Sequence, residues 1–290
     1  MLFKNRPNSG SHEIHIKYDI SSVIGFFNLK YSEKFSPQNI YNRAPDYLIN
    51  LCADQWYFEF YDRLSRKPKI IKLGELAEIY NGIQTGSDKT YVSYEQKNAK
   101  WQKVITGSDI NLYFLRWGGK YVYYVPENLH SNTRKDIFKT PVKIIIRQTA
   151  DRIIGTYDDN SYFTMASTFV VKQFTELLPY KALLAILNSS LFLYLYRNIN
   201  NEEGRVLPQI KKMHIFNLPI KIDFPTKPVV DLVDQILAIT KNDDYMSNPI
   251  KQAEVKELEV ENDKLVYDLY QLTEEEKTVV KNFNTTPKEV

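Results

Sequence analysis

Apolar and polar positions change their rhythm twice along the chain. Residues 1–43 are weakly patterned, with one alternating run, Glu13–Tyr18, that predicts an edge strand. From Ala44 to Leu64 the residues Leu48, Leu51, Cys52, Trp56, Phe60 and Leu64 recur at helical spacing, and Arg66-Lys-Pro-Lys69 ends that helix as a linker. Between Ile70 and Val171 short β-branched and aromatic runs take over: Tyr91–Tyr94, Tyr121–Val125, Val142–Ile146, Ile153–Tyr157 and Thr168–Val171. Gly, Asn, Asp and Pro separate them, which predicts a twisted, mostly antiparallel sheet. A short helix over Gly74–Ile79 is expected to end at Asn81-Gly82. Helical rhythm then returns. Pro179–Asn198 reads as one buried helix, Asn201–Gly204 as a loop, Gln209–Phe216 as a helical turn, and Leu218–Ile220 as extended. Val229–Thr240 is amphipathic, and a longer helix runs from Pro249 to about Tyr270 on a stripe of Val255, Leu258, Asn262, Leu265, Val266 and Leu269. Leu272–Glu276 reads as a cap with acidic first-turn residues of a last helix. The predicted class is α+β: a helical region over about 1–66, a β-rich domain over about 70–222 and a helical region over about 226–290.

Composition narrows the chemistry. With 43% hydrophobic and 13% aromatic residues in 290, the chain folds around a substantial core. A single cysteine excludes a disulfide framework and a cysteine-based zinc site, and its place on an apolar helix face makes Cys52 a packing residue. The longest apolar run, Ala182–Tyr196, is interrupted by Asn188, Ser189 and Ser190 and is too short to span a bilayer. No apolar segment marks the N-terminus as a secretory signal, so a cytoplasmic location without membrane attachment is expected. Charge is unevenly placed. Residues 226–290 hold 8 basic and 14 acidic side chains, which leaves 30 basic against 21 acidic before them. A basic body suits a polyanionic partner, and the acidic tail is expected to pack on the body or on a partner domain rather than on that polyanion.

Several familiar sites are missing from the sequence. No Gly-x-Gly occurs, so a dinucleotide or nucleoside-methionine loop of that type is excluded, as is a phosphate-binding G-x-x-x-x-G-K-[ST] loop. Adjacent prolines are absent, and with them the [DNS]-P-P-[YFW] motif of amino-methylating enzymes. His12 and His15 form the one close histidine pair, without carboxylates that spacing can assign to them. Acidic-x-Lys triplets begin at Glu95, Glu254 and Glu275, about as many as the composition gives unaided. A hydrolase with a metal site around Asp88, Glu95 and Lys97 therefore stands as an alternative, and a protein-interaction module as another.

Three segments carry polar groups suited to nucleic acid. Gly82-Ile-Gln-Thr-Gly-Ser-Asp-Lys89 is a glycine-bounded loop offering the amide of Gln84, the hydroxyls of Thr85 and Ser87 and the ammonium of Lys89. Val142–Arg152 is a buried strand that ends in Arg147, Gln148, Thr149 and Arg152; arginine and glutamine forks match guanine and adenine edges in a major groove. Leu187-Asn-Ser-Ser-Leu191 is followed by Gly204-Arg-Val-Leu-Pro-Gln-Ile-Lys-Lys212, where Arg205, Gln209, Lys211 and Lys212 can hold phosphates.

In this order, "Leu-Gly-Glu-Leu … Gly-Ile-Gln-Thr-Gly-Ser-Asp-Lys", "Ile-Thr-Gly-Ser-Asp-Ile" (105–110), "Ile-Ile-Arg-Gln-Thr", "Leu-Asn-Ser-Ser-Leu" and "Leu-Pro-Gln-Ile-Lys-Lys … Leu-Pro-Ile" resemble the TaqI-like C-terminal specificity domain. This is the target recognition domain of adenine-N6 DNA methyltransferases and of type IIG (Eco57I-like) restriction–modification enzymes. The resemblance covers about residues 70–222, and Asp263–Glu276 is similar to the usual ending of such chains. It implies a non-catalytic module that reads a short sequence of double-stranded DNA for a methyltransferase domain, and in some cases a nuclease domain, acting in cis or in trans. S-adenosylmethionine, and Mg²⁺ where a nuclease is fused, would belong to that parent enzyme and not to this chain. Within such a domain the polar groups of Gln84, Lys89, Arg147 and Gln148 are the candidates for base-edge contacts. Arg152, Arg205, Lys211 and Lys212 are the expected phosphate anchors, while Gly82, Gly86, Gly107 and Asn188 are taken as framework.

Overall fold

The structure is a computed structural model that describes residues 14–16, 33–35, 55–131, 133–200 and 207–285. Two compact units divide the chain, Met1–Asp62 and Arg63–Val290. In the first, β1 (Ile14–Ile16) pairs antiparallel with β2 (Glu33–Phe35), which places a strand inside the alternating run at Glu13–Tyr18. Of the helix predicted from Ala44, the described part is α1 (Gln55–Ser65), where Trp56 stacks on Phe60 at 4.9 Å; Cys52 lies outside the described residues.

The second unit opens with β3 (Ile70–Lys72), α2 (Leu73–Leu76), β4 (Ala77–Asn81), β5 (Gln84–Thr85), α3 (Asp88–Tyr91), β6 (Val92–Ser93) and β7 (Trp101–Ile105). It continues through β8 (Ile110–Asn111), β9 (Phe114–Leu115), β10 (Tyr121–Tyr123), β11 (Leu129–Ser131), α4 (Lys135–Phe138), β12 (Lys143–Arg147), β13 (Gly155–Asp158), β14 (Phe163–Thr164) and β15 (Thr168–Gln173). Helices then dominate: α5 (Tyr180–Asn188), α6 (Ser190–Ile199) and α7 (Lys212–Phe216) lead to β16 (Pro219–Lys221), followed by α8 (Lys227–Thr240), α9 (Pro249–Leu269) and α10 (Glu274–Thr285).

Two four-stranded sheets make the β-rich part. The larger runs β13-β12-β15-β4 and is antiparallel throughout, with Ile145 opposite Val170 and Val171 opposite Ile79. Ile144, Ile145, Ile146, Val170 and Val171 are all buried, because α5 packs on β12 and β13 from one side while Val170 meets Val104, Val122, Phe138 and Phe163 from the other. A strand covered on both faces loses the alternation of a half-exposed one, so a continuous apolar run is the sequence that fits. The smaller sheet runs β14-β7-β10-β6, and its β14–β7 pair is parallel. Two-stranded ribbons join β5 to β11, β3 to β16 and β8 to β9.

A buried ion pair crosses the larger sheet. Lys143 and Asp158 face each other in register, their charged atoms 2.5 Å apart and both side chains fully buried. The ammonium also donates to the Phe138 carbonyl at 2.9 Å, and the carboxylate accepts from the Asn160 and Tyr162 amides. Burial pushes the Lys143 ammonium below its usual value while Asp158 pulls it back.

Two helix predictions change. The helix expected over Gly74–Ile79 is one turn, α2, with the Lys72 amide donating to Glu75. Its second half is β4, where Ala77 and Ile79 are buried and Glu78 is exposed, a period of two rather than 3.6. The single helix expected over Pro179–Asn198 is two, bent by 63° at Ser189. The Ser189 hydroxyl accepts from the Phe192 amide and donates to the Ile186 carbonyl, so it caps α6 inside the apolar run. Among the described residues no single helix is long and apolar enough to cross a membrane.

The segment Asn188–Ser190 is framework. Asn188 accepts from the Gly155 amide at 2.9 Å and donates to the Gly155 carbonyl at 3.0 Å, clamping the start of β13. A β-carbon at Gly155 would stand 3.0 Å from Leu184 and 3.1 Å from the Asn188 amide oxygen, so the clamp leaves little room for one. The Ser190 amide donates to Asp263 and its hydroxyl bonds that of Tyr267, which fastens α9 to the α5–α6 elbow. Through α8 on α5 and α10 on α6, the acidic C-terminal helices belong to the same compact unit as the sheets.

Candidate nucleic-acid interface

Four strands of the two sheets end at one short segment, Thr164–Thr168. Met165 donates to the Ile105 carbonyl at the end of β7, and Ala166 donates to Ile83 just past β4. The Ile83 amide donates back to Thr164, and Gly82 donates to Thr168. Ser167 completes the junction: its hydroxyl accepts from Gly107 at 2.9 Å and its carbonyl from Gln148 at 2.9 Å. A β-carbon at Gly82 would lie 2.0 Å from the Met165 carbonyl oxygen, so glycine is what lets these two backbones approach.

The loop after β4 therefore hangs from the junction. Gln84, Ser87 and Lys89 are exposed. Thr85 is buried and donates its hydroxyl to Asp88, closing the turn, while Ser87 caps α3 by accepting from Thr90 and Tyr91 through its carbonyl. Arg147 leaves the end of β12 on the other side of Ser167, half-buried, with its side chain 3.5 Å from where a Gly107 β-carbon would stand. Gln148 and Thr149 follow, also half-buried. The Gln148 carbonyl accepts from Ile210 at 2.8 Å, which brings Gln209, Lys211 and Lys212, all exposed, beside the Arg147 turn. The backbone of this last loop is fixed from α6: Asn200 donates to the Gln209 carbonyl and the Lys211 amide donates to the Tyr196 hydroxyl.

The loops of three distant segments thus meet through Ser167 and Ile210. The junction residues Met165, Ala166 and Ser167 have no signature in the sequence, being an ordinary turn whose role appears only when the strands assemble. Two expected residues stand apart. Arg152 is half-buried, as Arg147 is; burial pushes its guanidinium down, with the carboxylates of Glu259, Asp151 and Asp263 pulling against that and Arg197 adding to it. Arg205 lies outside the described residues, as do the side chains of His12 and His15.

Nothing around Asp88, Glu95 and Lys97 assembles as a metal centre. Asp88 is taken by Thr85, and Lys97 stands 5.0 Å over the ring of Trp101. Among the described residues no three His, Cys, Asp or Glu side chains cluster closely enough to hold a metal ion.

Residues 102–220 match the family model of the TaqI-like C-terminal specificity domain. The resemblance carried by the sequence motifs is thereby established over that span, which contains β7 to β16 and most of the junction. No curated protein matches the chain. Among solved structures, the chain is similar to the type IIL restriction–modification enzyme MmeI in complex with DNA, at 10% identity over 74% of this chain and 36% of that one, with a TM-score of 0.47. The type IIG restriction endonuclease BpuSI aligns at 10% identity over 83% and 36%, TM-score 0.44. The S subunit of a type I restriction–modification system from M. genitalium aligns at 16% identity over 74% and 50%, TM-score 0.36. The chain spans about a third to a half of the length of these structures.

Proposed function

We propose that this chain recognises a short sequence of double-stranded DNA as the specificity module of a restriction–modification adenine-N6 methyltransferase, the chemistry residing in a separate catalytic domain in cis or in trans. One observation carries the reading. The junction at Ser167 brings together, at strand ends and in the short segments that follow them, groups of the two kinds that DNA recognition needs: amide and guanidinium forks, and lysines. Gln84, Lys89, Arg147 and Gln148 are the base readers on this reading, and Lys211 and Lys212 position the backbone. Rigid strands delivering polar loops to one place is how a scaffold separates stability from specificity. S-adenosylmethionine, and Mg²⁺ where a nuclease is present, belong on this reading to the catalytic partner.

Selection from a random duplex library tests it. The chain should enrich one short motif, and Arg147→Ala should relax that motif at a single position, with a cost of about 1–3 kcal/mol against the preferred base. An Arg147→Ala variant that selects the wild-type motif unchanged removes Arg147 as a reader. Failure to bind duplex DNA at all would leave the protein-interaction reading in its place.

A further inference from the structure

The outer face of the smaller sheet carries a cluster of aromatic rings with lysines over them, the Trp101 ring itself being buried. Val104 and Val122 point inward from β7 and β10 and are fully buried. Their neighbours point the other way: Trp101 and Lys103 on β7 stand opposite Tyr123 and Tyr121 on β10, and Tyr121 stands opposite Ser93 on β6. The rings pack on one another. Tyr91 stacks with Tyr123, Trp101 tilts against Tyr123 at 5.4 Å, and Trp117 meets Tyr121 edge-on at 5.0 Å. Lysines lie over two of these rings, Lys97 at 5.0 Å from Trp101 and Lys103 at 4.6 Å from Trp117; just before β10, on the side of Val122, Lys120 lies 6.0 Å from the ring of Tyr94, which is 73% exposed.

None of Lys97, Lys103 and Lys120 has a carboxylate within 4 Å among the described residues, although most cations of the C-terminal helices do. An aromatic seat holds an ammonium by its ring quadrupole and by contact with the stem, without consuming its charge. Such lysines are ordered in advance and still uncompensated, which lowers the entropic cost of meeting an anion. Position adds direction. The Lys120 carbonyl accepts from Val104, one residue before the end of β7, and β7 delivers Gly107 to Ser167. The row of lysines therefore begins beside the base-reading junction and leads away from it.

We infer that this face, together with Lys120 at the end of the sheet beside it, is a second, sequence-neutral contact with the same DNA, in which Lys97, Lys103 and Lys120 grip phosphates of the duplex flanking the recognised bases. The inference rests on the reading of the chain as a DNA-recognition module and adds to it a surface that sets affinity and not the motif. Counterion release makes the two separable, because each phosphate neutralised adds about 0.9 to the slope of log affinity against log salt.

The test uses the full chain, a labelled duplex carrying the selected motif and one of scrambled sequence. Replacing all three residues with glutamine (Lys97→Gln, Lys103→Gln, Lys120→Gln) keeps stems over the rings and removes the charges; replacing all three with arginine keeps the charges. Expected for the glutamine variant are a slope shallower by about 2.7, a loss of at least tenfold in affinity for both duplexes at low salt, and an unchanged selected motif. The arginine variant should keep the wild-type slope. A glutamine variant that binds with wild-type slope and affinity overturns the inference alone. Wild-type chain that binds neither duplex overturns the DNA reading and this inference with it, and a changed motif would move the three lysines into the reading site.

Discussion

At Ser167, one hydroxyl and one carbonyl fix the relative placement of Gly107 and Gln148, so the positions of the proposed readers are set by backbone bonds rather than by their own side chains. Arg147 and Gln148 could be picked from the sequence because a buried apolar strand that ends abruptly in long polar side chains has no packing reason for them. Arg152, five residues further, looked the same. Its half-buried surroundings include the charges of Glu259 and Asp263, more than a hundred positions away, and no local pattern encodes such neighbours. Lys143 and Asp158 were equally invisible as a pair, since they meet only by strand register. Their burial makes a prediction. Asp158→Ala should cost about 3–5 kcal/mol by leaving a buried ammonium unpaired, whereas the joint change Lys143→Met with Asp158→Leu should cost far less. Urea denaturation of the two variants beside the wild type measures the difference, and equal losses would show that the pair is not isolated from water.

Among the elements, the long apolar stretch between Pro179 and Asn198 shows both the reach and the limit of periodicity. Its burial was legible, for Ala182–Asn188 of α5 and Leu191–Tyr196 of α6 are buried without a break in either helix. Its direction was not, because hydrophobic spacing continues across a bend; the sign of the break is the Asn188-Ser189-Ser190 run, which is N-cap chemistry in the middle of an apolar segment. The same elbow receives α9 through Asp263, and there burial raises the carboxyl above the ordinary value, opposed by the hydrogen bonds from Ser190. An unfolded aspartate ionises near pH 3.9, about the ordinary value. The native chain thus holds this proton to higher pH than the unfolded chain, and Asp263 makes stability fall as the pH rises from about 4 through the native value. Asp263→Asn keeps an acceptor for the Ser190 amide and should remove that decline, while Asp263→Leu orphans the amide and should cost about 1–3 kcal/mol. Denaturation midpoints compared at pH 4 and pH 7 read out both.

On the scale of the whole molecule, the arrangement divides labour between a loop junction, a lysine-bearing sheet face and an acidic helical end. Composition had already indicated the polarity, with basic charge before residue 226 and acidic charge after it. It left open whether the acidic helices pack on the body or on a partner domain, because amphipathic stripes do not name the surface they cover; they share one compact unit with the sheets. If a catalytic domain engages the same site, joining it to this chain should raise apparent affinity by about 10²–10⁴ through effective concentration while leaving the selected motif as it is. Titrating the fused and the separate forms against one labelled duplex would show this, and a motif that changes on fusion would assign part of the reading to the other domain. The hold of Asn188 on Gly155 matters here too. β13 is the outermost strand of its sheet, and both polar backbone groups at its first residue are occupied by a side-chain amide that imitates the backbone of a neighbouring strand. A second copy that tried to extend the sheet from that end would find those bonds taken. One route to strand-by-strand polymerisation is therefore closed at that end of the sheet, whatever the local concentration of the protein.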